Sequence, residues 1–184
     1  MPNHCSNDLR IHGNPVLIQE FIEFAKAKRK THDIEGKEEE FEEALSCDNF
    51  VPYPQAFKDQ DEKACEATRE MRKLPKKKRD WSKLPKDGFN SGGYEWCLAN
   101  WGTKWGCYDA SDWKLYKRSA MIRFDSAWSP PIPVIHAMAK RFPKLKFTLR
   151  YYECGMGFKG CLQVKGEDVL KDEYSDGYRG HRGG

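Results

Sequence analysis

Three observations predict an α+β fold for this chain. Residues 7–12 and 146–153 alternate apolar and polar side chains at the two-residue period of a strand. Segments opening at Asn14 and Ser129 repeat apolar residues at the period of about 3.6 that marks an amphipathic helix. These units are interleaved along 184 residues, a length that suits one domain and buries a core without staples.

The first strand carries Leu9 and Ile11 on one side and Arg10 and His12 on the other. Gly13 ends it. Asn14 then caps a helix with Pro15 in its first turn. Leu17, Ile18, Phe21, Ile22 and Ala25 form its apolar stripe, and Lys26, Lys28, Arg29 and Lys30 close it where the helix dipole favours cations. An acidic stretch, residues 35–43, leads into a strand near 44–51, which Pro52 and Pro54 break. A short helix over 61–73 turns Ala64, Cys65, Thr68 and Met71 inward. Residues 73–86 carry seven Lys or Arg against one Asp and, with Pro75, Pro85 and nearby glycines, read as a loop.

Tyr94, Cys97, Leu98 and Trp101 make a helical stripe stopped by Gly102. Residues 105–113 read as irregular or as a short strand. Residues 119–125 alternate as a strand. Ser129 caps the next helix, with Pro130 and Pro131 in its first turn. Ile135, Met138, Ala139 and Phe142 face inward, and Pro143 ends the helix. Phe147, Leu149 and Tyr151 form the inner side of strand 146–153. Gly155 and Gly157 turn the chain into a hairpin partner over 158–165, which sets Cys154 and Cys161 facing each other. The resulting order is a split βαβ pattern, ferredoxin-like, with an extra C-terminal strand and a helical or loop insertion. It predicts one domain over 1–170, an insertion at about 53–93 and a flexible Gly/Arg tail over 171–184.

The net charge of +4 permits a polyanionic partner without demanding one. The N-terminus has no apolar signal region and no 18-residue apolar run occurs, so a soluble, membrane-free, cytoplasmic protein is expected. Seven cysteines, odd in number and irregular in spacing, read as reduced thiols. They lack the close pairing of structural zinc sites, so no metal is expected. No phosphate loop or nucleophile elbow is present, and His4 and Cys5, adjacent on a strand, point to opposite faces. No catalytic residue and no cofactor are therefore assigned.

Four stretches resemble one family when taken in order: PNHCSNDLRIHG, YEWCLANWGTKW, FDSAWSPPIPVI and YYECGMGFKG. They are similar to the phage- and plasmid-borne YubB-like proteins of unknown function. That family usually has Trp where this chain has His4 and an acidic residue where it has Gly106. The resemblance implies a ferredoxin-like C-terminal domain and a mobile-element origin, and brings no catalytic residues.

Two features mark candidate binding surfaces. Trp96, Trp101, Trp105, Trp113 and Trp128 fall within 33 residues. Trp101 shares the helical stripe and is assigned to the core, whereas Trp96, Trp105 and Trp128 are candidates for stacking a base or a partner side chain. The polar sheet face carries Arg10, His12, Arg123, Lys146, Arg150, Tyr152, Lys159 and Lys165, a basic surface with an aromatic on it. The expected role is a non-enzymatic phage or plasmid accessory protein that binds a host protein, such as a component of bacterial immunity. The alternative is a nucleotide- or single-strand-binding protein in which Trp128 and the basic sheet face, with Arg123, Arg150, Tyr152 and Lys159, stack bases and pair with phosphates.

Overall fold

A computed structural model describes residues 3–32 and 38–177. Its centre is a six-stranded antiparallel sheet. In chain order the strands are β1 (His4–His12), β4 (Lys114–Tyr116), β5 (Ser119–Ala127), β6 (Lys146–Glu153), β7 (Phe158–Lys165) and β8 (Asp168–Asp176). A separate two-stranded sheet pairs β2 (Ala27–His32) with β3 (Glu38–Glu43). The helices are α1 (Pro15–Ala25), α2 (Gln55–Lys73), α3 (Gly93–Asn100) and α4 (Ile132–Arg141).

The spatial order β4-β5-β1-β6-β7-β8 explains the fold class. Both β5 and β6 run antiparallel to β1, so they are parallel to each other, and α4 joins them across it. By the same logic β4 is parallel to β1 and is reached through α1 and the insertion. Two interlocked split βαβ units are the ferredoxin-like arrangement. Strands β7 and β8 then extend the sheet beyond β6.

Helices α1 and α4 pack on one face. Ile18, Phe21, Ile22 and Ala25 of α1 and Val134, Ile135, Met138 and Ala139 of α4 close over Leu9, Ile11, Ile122, Phe147, Leu149 and Leu162 of the sheet. Phe21 sits at the middle, with Phe50, Phe142, Phe147 and Trp113 rings within 6 Å. The Asn14 side chain accepts from Val16 N at 2.9 Å, the capping bond its sequence predicts.

Several expectations are corrected. Helix α1 stops at Ala25, because Lys26 is extended and residues 27–32 enter β2. That basic strand lies opposite the acidic β3, with Lys28 across from Glu42, so tertiary pairing outweighs the dipole argument. Residues 44–51 are not a strand: a 3-10 turn, Cys47–Asn49, occupies them, and the edge strand of the ferredoxin unit is β4. Helix α2 starts six residues before the expected 61, at Gln55, and leaves Cys65 exposed. Ser129 does not cap α4. Pro131 holds that position, and the Ser129 hydroxyl donates to Gly102 O at 2.6 Å. Residues 171–176, expected in a flexible tail, belong to β8, so two strands rather than one extend the sheet; residues 178–184 lie outside the described residues. Cys161 lies opposite Arg150, not Cys154, because the turn spans 154–157.

Candidate functional site

The sheet's second face is open. Alternation and register place its side chains in rows that run across strands. One row reads Arg123, Asp8, Arg150, Cys161 and Glu173. Beside it lie Tyr152, Lys159 and Ser175. The next two rows along β1 read Met121, Arg10, Thr148, Gln163 and Lys171, then Ser119, His12, Lys146, Lys165 and Asp168. Arg10, His12, Arg123, Arg150, Lys159 and Lys165 are all exposed.

A groove of about 530 Å³ lies on this face. Asp8, Arg150, Tyr152, Lys159, Cys161, Glu173 and Ser175 line it, and the strand segments through Tyr151, Gly160 and Tyr174 floor it. Gly160 is required there, since a Cβ would fall on the Tyr151 hydroxyl and 2.6 Å from Glu173 O. The groove is anchored by two ion pairs: Arg123 Nε donates to Asp8 Oδ1 at 2.9 Å, and Lys171 Nζ lies 2.8 Å from Glu173 Oε2. Arg150, across from Asp8 on the other side, completes an Arg–Asp–Arg line. Guanidinium and ammonium groups of this kind can pair with anions, and a ring such as that of Tyr152 can stack on a flat partner.

The three candidate tryptophans, Trp96, Trp105 and Trp128, do not gather at one site. Trp96 is half-buried and packs its ring at 5.4 Å from both Tyr53 and Trp101. Trp101 is buried, as expected, and its indole N–H donates to Val51 O at 2.8 Å. Tyr94 and Leu98 do not share that burial: the expected stripe is 36% and 40% exposed at these two, because α3 packs only its Cys97 side inward. Trp128, 41% exposed with φ 72°, stands at the end of β5, held by its N–H to Asn3 O. Trp105 and the buried Trp101 line a second cleft of about 470 Å³, together with Tyr53 and Phe89. Arg150, Tyr152 and Lys159 thus share the groove and Arg123 adjoins it; Trp105 belongs elsewhere, and Trp96 and Trp128 line neither.

Four groove residues carried no sequence signal strong enough to single them out. Asp8 lies in a strand whose clear signal is its apolar side. Cys161 lies in the hairpin partner, where its spacing points to Cys154 rather than to a groove. Glu173 and Ser175 lie in a charged C-terminal segment, although Lys171, Glu173 and Ser175 alternate as a strand does.

Titration reflects burial more than catalysis. Burial pushes the Cys5 thiol up to about 12, against a smaller opposing hydrogen bond to Ser126. Burial likewise raises Tyr53 and Tyr108 to about 12 and Cys97 to about 11. At neutral pH these thiols are protonated and poorly nucleophilic. Among the described residues, no group of three or more His, Cys, Asp or Glu is placed to hold a metal ion. No helix among them is long and apolar enough to cross a membrane.

Comparison with known proteins agrees with this architecture. Residues 100–181 match the family model described as the ferredoxin-like domain in Api92-like protein. The crystal structure of protein api92 from Yersinia pseudotuberculosis superposes with a TM-score of 0.50 at 12% identity, over 95% of this chain and 98% of that one. At that identity the likeness shows the fold. No curated protein sequence matches the chain.

Proposed function

We propose that the protein is a binding module whose open sheet face takes single-stranded nucleic acid. The observation that carries this reading is the row structure of that face: Arg123, Arg150 and Lys159 stand around one groove beside Tyr152, with Arg10, Lys146 and Lys165 adding cations along the same face. Phosphates would pair with the cations and a base would stack on Tyr152. Binding by counterion release weakens with salt, with a slope near −0.7 per phosphate contact for single strands. Fluorescence anisotropy with a labelled oligonucleotide across a salt series tests it. Arg150→Ala and Lys159→Ala should each weaken binding and lower the salt slope by about 0.7. An oligonucleotide that fails to bind at low salt, or binds both variants as well as the parent, removes the reading.

A second reading follows from β8. This nine-residue edge strand exposes Val169, Leu170 and Tyr174, and an unpaired edge accepts an added strand. A host protein, including a bacterial immune component in the cytoplasm, would dock there; the resemblance to mobile-element proteins supplies that setting. Capture of one specific host protein by the parent but not by Leu170→Lys, with matching loss of phage protection in defence-bearing cells, supports it. Equal capture by both chains removes it.

A further inference from the structure

Two buried thiols touch beside the second cleft. The sulfurs of Cys47 and Cys107 lie 3.1 Å apart, although the residues are 60 positions apart in the chain. Both are free cysteines. A disulfide bond is about 2.05 Å long, so the two sulfurs need close by only about 1 Å to be joined.

The surrounding backbone holds both sulfurs in place. Cys47 opens the 3-10 turn Cys47–Asn49, and that turn is tied to the end of α1. Ser46 N donates to Ala25 O at 2.8 Å, and the Asn49 side-chain amide donates to Phe24 O at 2.7 Å and to Lys26 O at 2.8 Å. Cys107 precedes Tyr108, whose N–H donates to Asp125 O of β5 at 2.9 Å and whose carbonyl accepts from Asp125 N at 2.8 Å. Two indoles join the same two segments on either side of the thiols. Trp101 Nε1 donates to Val51 O at 2.8 Å, and Trp113 Nε1 donates to Ala44 O at 3.0 Å. Cys47 and Cys107 thus meet between two existing cross-links, where the chain leaves the core for α2 and returns from α3.

We propose that Cys47 and Cys107 are a reversible disulfide site that locks the insertion at its base. Contact is what the reaction needs, since the second sulfur is already beside the first when the first is oxidised. Hydrogen peroxide is the oxidant. One thiol sulfur takes a peroxide oxygen, becomes a sulfenic acid and releases water. The second sulfur attacks it: the S–S bond forms, the S–O bond breaks, and the departing hydroxide leaves with the second thiol's proton as water. Two thiols lose two electrons and two protons, and one peroxide becomes two waters. Burial selects a small oxidant, because Cys47 is 1% and Cys107 5% exposed, which disfavours a bulky disulfide or a protein oxidant. Gly106 lines the cleft without a side chain, and a Cβ there would lie 3.8 Å from Cys47 Sγ, so a single glycine stands between the cleft and that sulfur. A dithiol reductant restores both thiols by exchange. The bond closes a long loop in the unfolded chain, which stabilises the fold.

Peptide mapping under non-reducing conditions tests the site, after the dilute full chain is treated with hydrogen peroxide. A peptide pair linked through Cys47 and Cys107 should appear. The melting temperature should rise by about 5 °C or more, and dithiothreitol should reverse both changes. Cys47→Ser and Cys107→Ser should each abolish the linked pair and the rise. Cys97→Ser, which alters a thiol close enough to Cys47 to feel its charge, should keep both. The map of the parent chain decides the matter even where a serine variant folds poorly. Absence of the linked pair from that map overturns the proposal, as does a map in which Cys47 joins Cys97 or the exposed Cys65 instead. A linked form that melts no higher than the reduced chain overturns it too, because the bond then locks nothing.

Discussion

Asp8 faces two arginines at once. It holds Arg123 at 2.9 Å and lies across from Arg150. The pair is exposed enough that its own contribution to stability is about 0–1 kcal/mol. Its larger effect is on the field of the face. Asp8→Asn should tighten oligonucleotide binding and steepen its salt dependence, as anisotropy would show, because it removes a negative charge between two cations. Glu153 is a different case. It is buried, and its carboxylate accepts from the backbone N–H groups of Gly155 and Met156 in the turn that joins β6 to β7. Glu153→Ala leaves those donors to solvent or unpaired and should cost about 1–3 kcal/mol in chemical denaturation. The buried acids with raised pKa set the alkaline limit. Cys5 holds its proton up to about 12 in the fold but loses it near 9 in the unfolded chain, so the unfolded state binds fewer protons between those values. Stability is therefore full below about pH 9 and falls as pH rises toward 12; Tyr53, Tyr108 and Cys97 add terms of the same sign. Thermal melts above pH 9 should show the decline, and Cys5→Ala should flatten it.

At the scale of elements, the units that form from local pattern are those the residues announce. Asn14 caps α1, and Phe147, Leu149 and Tyr151 alternate through β6, because each pattern reports a periodicity that survives in the fold. Asn14→Ala should lower stability by about 1 kcal/mol in a urea titration. The misread elements depend on partners far away. Strand β4 is three residues long and exists because β5 offers it an edge. Residues 27–32 leave the helix because an acidic strand waits opposite. The sequence 168–176 carries enough charge to read as tail, yet it pairs along the whole of β7, and Tyr174 stacks on Phe158 at 5.8 Å. Deleting residues 168–184 should expose the β7 edge and promote concentration-dependent association, visible in sedimentation.

At the scale of the molecule, β1 is first in the chain and central in the sheet. Its Asn7 side chain donates to Ser126 Oγ, 119 residues away, and its two neighbours are β5 and β6. Bringing those strands together closes long loops, so folding should be slow for the size, on the order of milliseconds to seconds. The region matched by the ferredoxin-like family model, 100–181, lacks this strand. Expressed without residues 1–32, the remainder should show no cooperative thermal transition, because β5 and β6 are then left without the strand between them. A sharp native-like melt of that fragment would show that β1 is dispensable.

By itself the sequence determined the fold class, the helix-facing core strands and the basic character of the sheet's other face, because each is written in a short-range period or a local charge pattern. It also assigned Arg150, Tyr152 and Lys159 to one surface, since strand alternation alone sorts faces. Only the tertiary structure decided which of those residues share a groove, that Asp8 and Glu173 enter it, and that Trp96, Trp105 and Trp128 stand at separate places. The reason is physical: alternation specifies a face, but neighbours across a face are chosen by strand order and register, which are set by contacts between residues far apart in the chain.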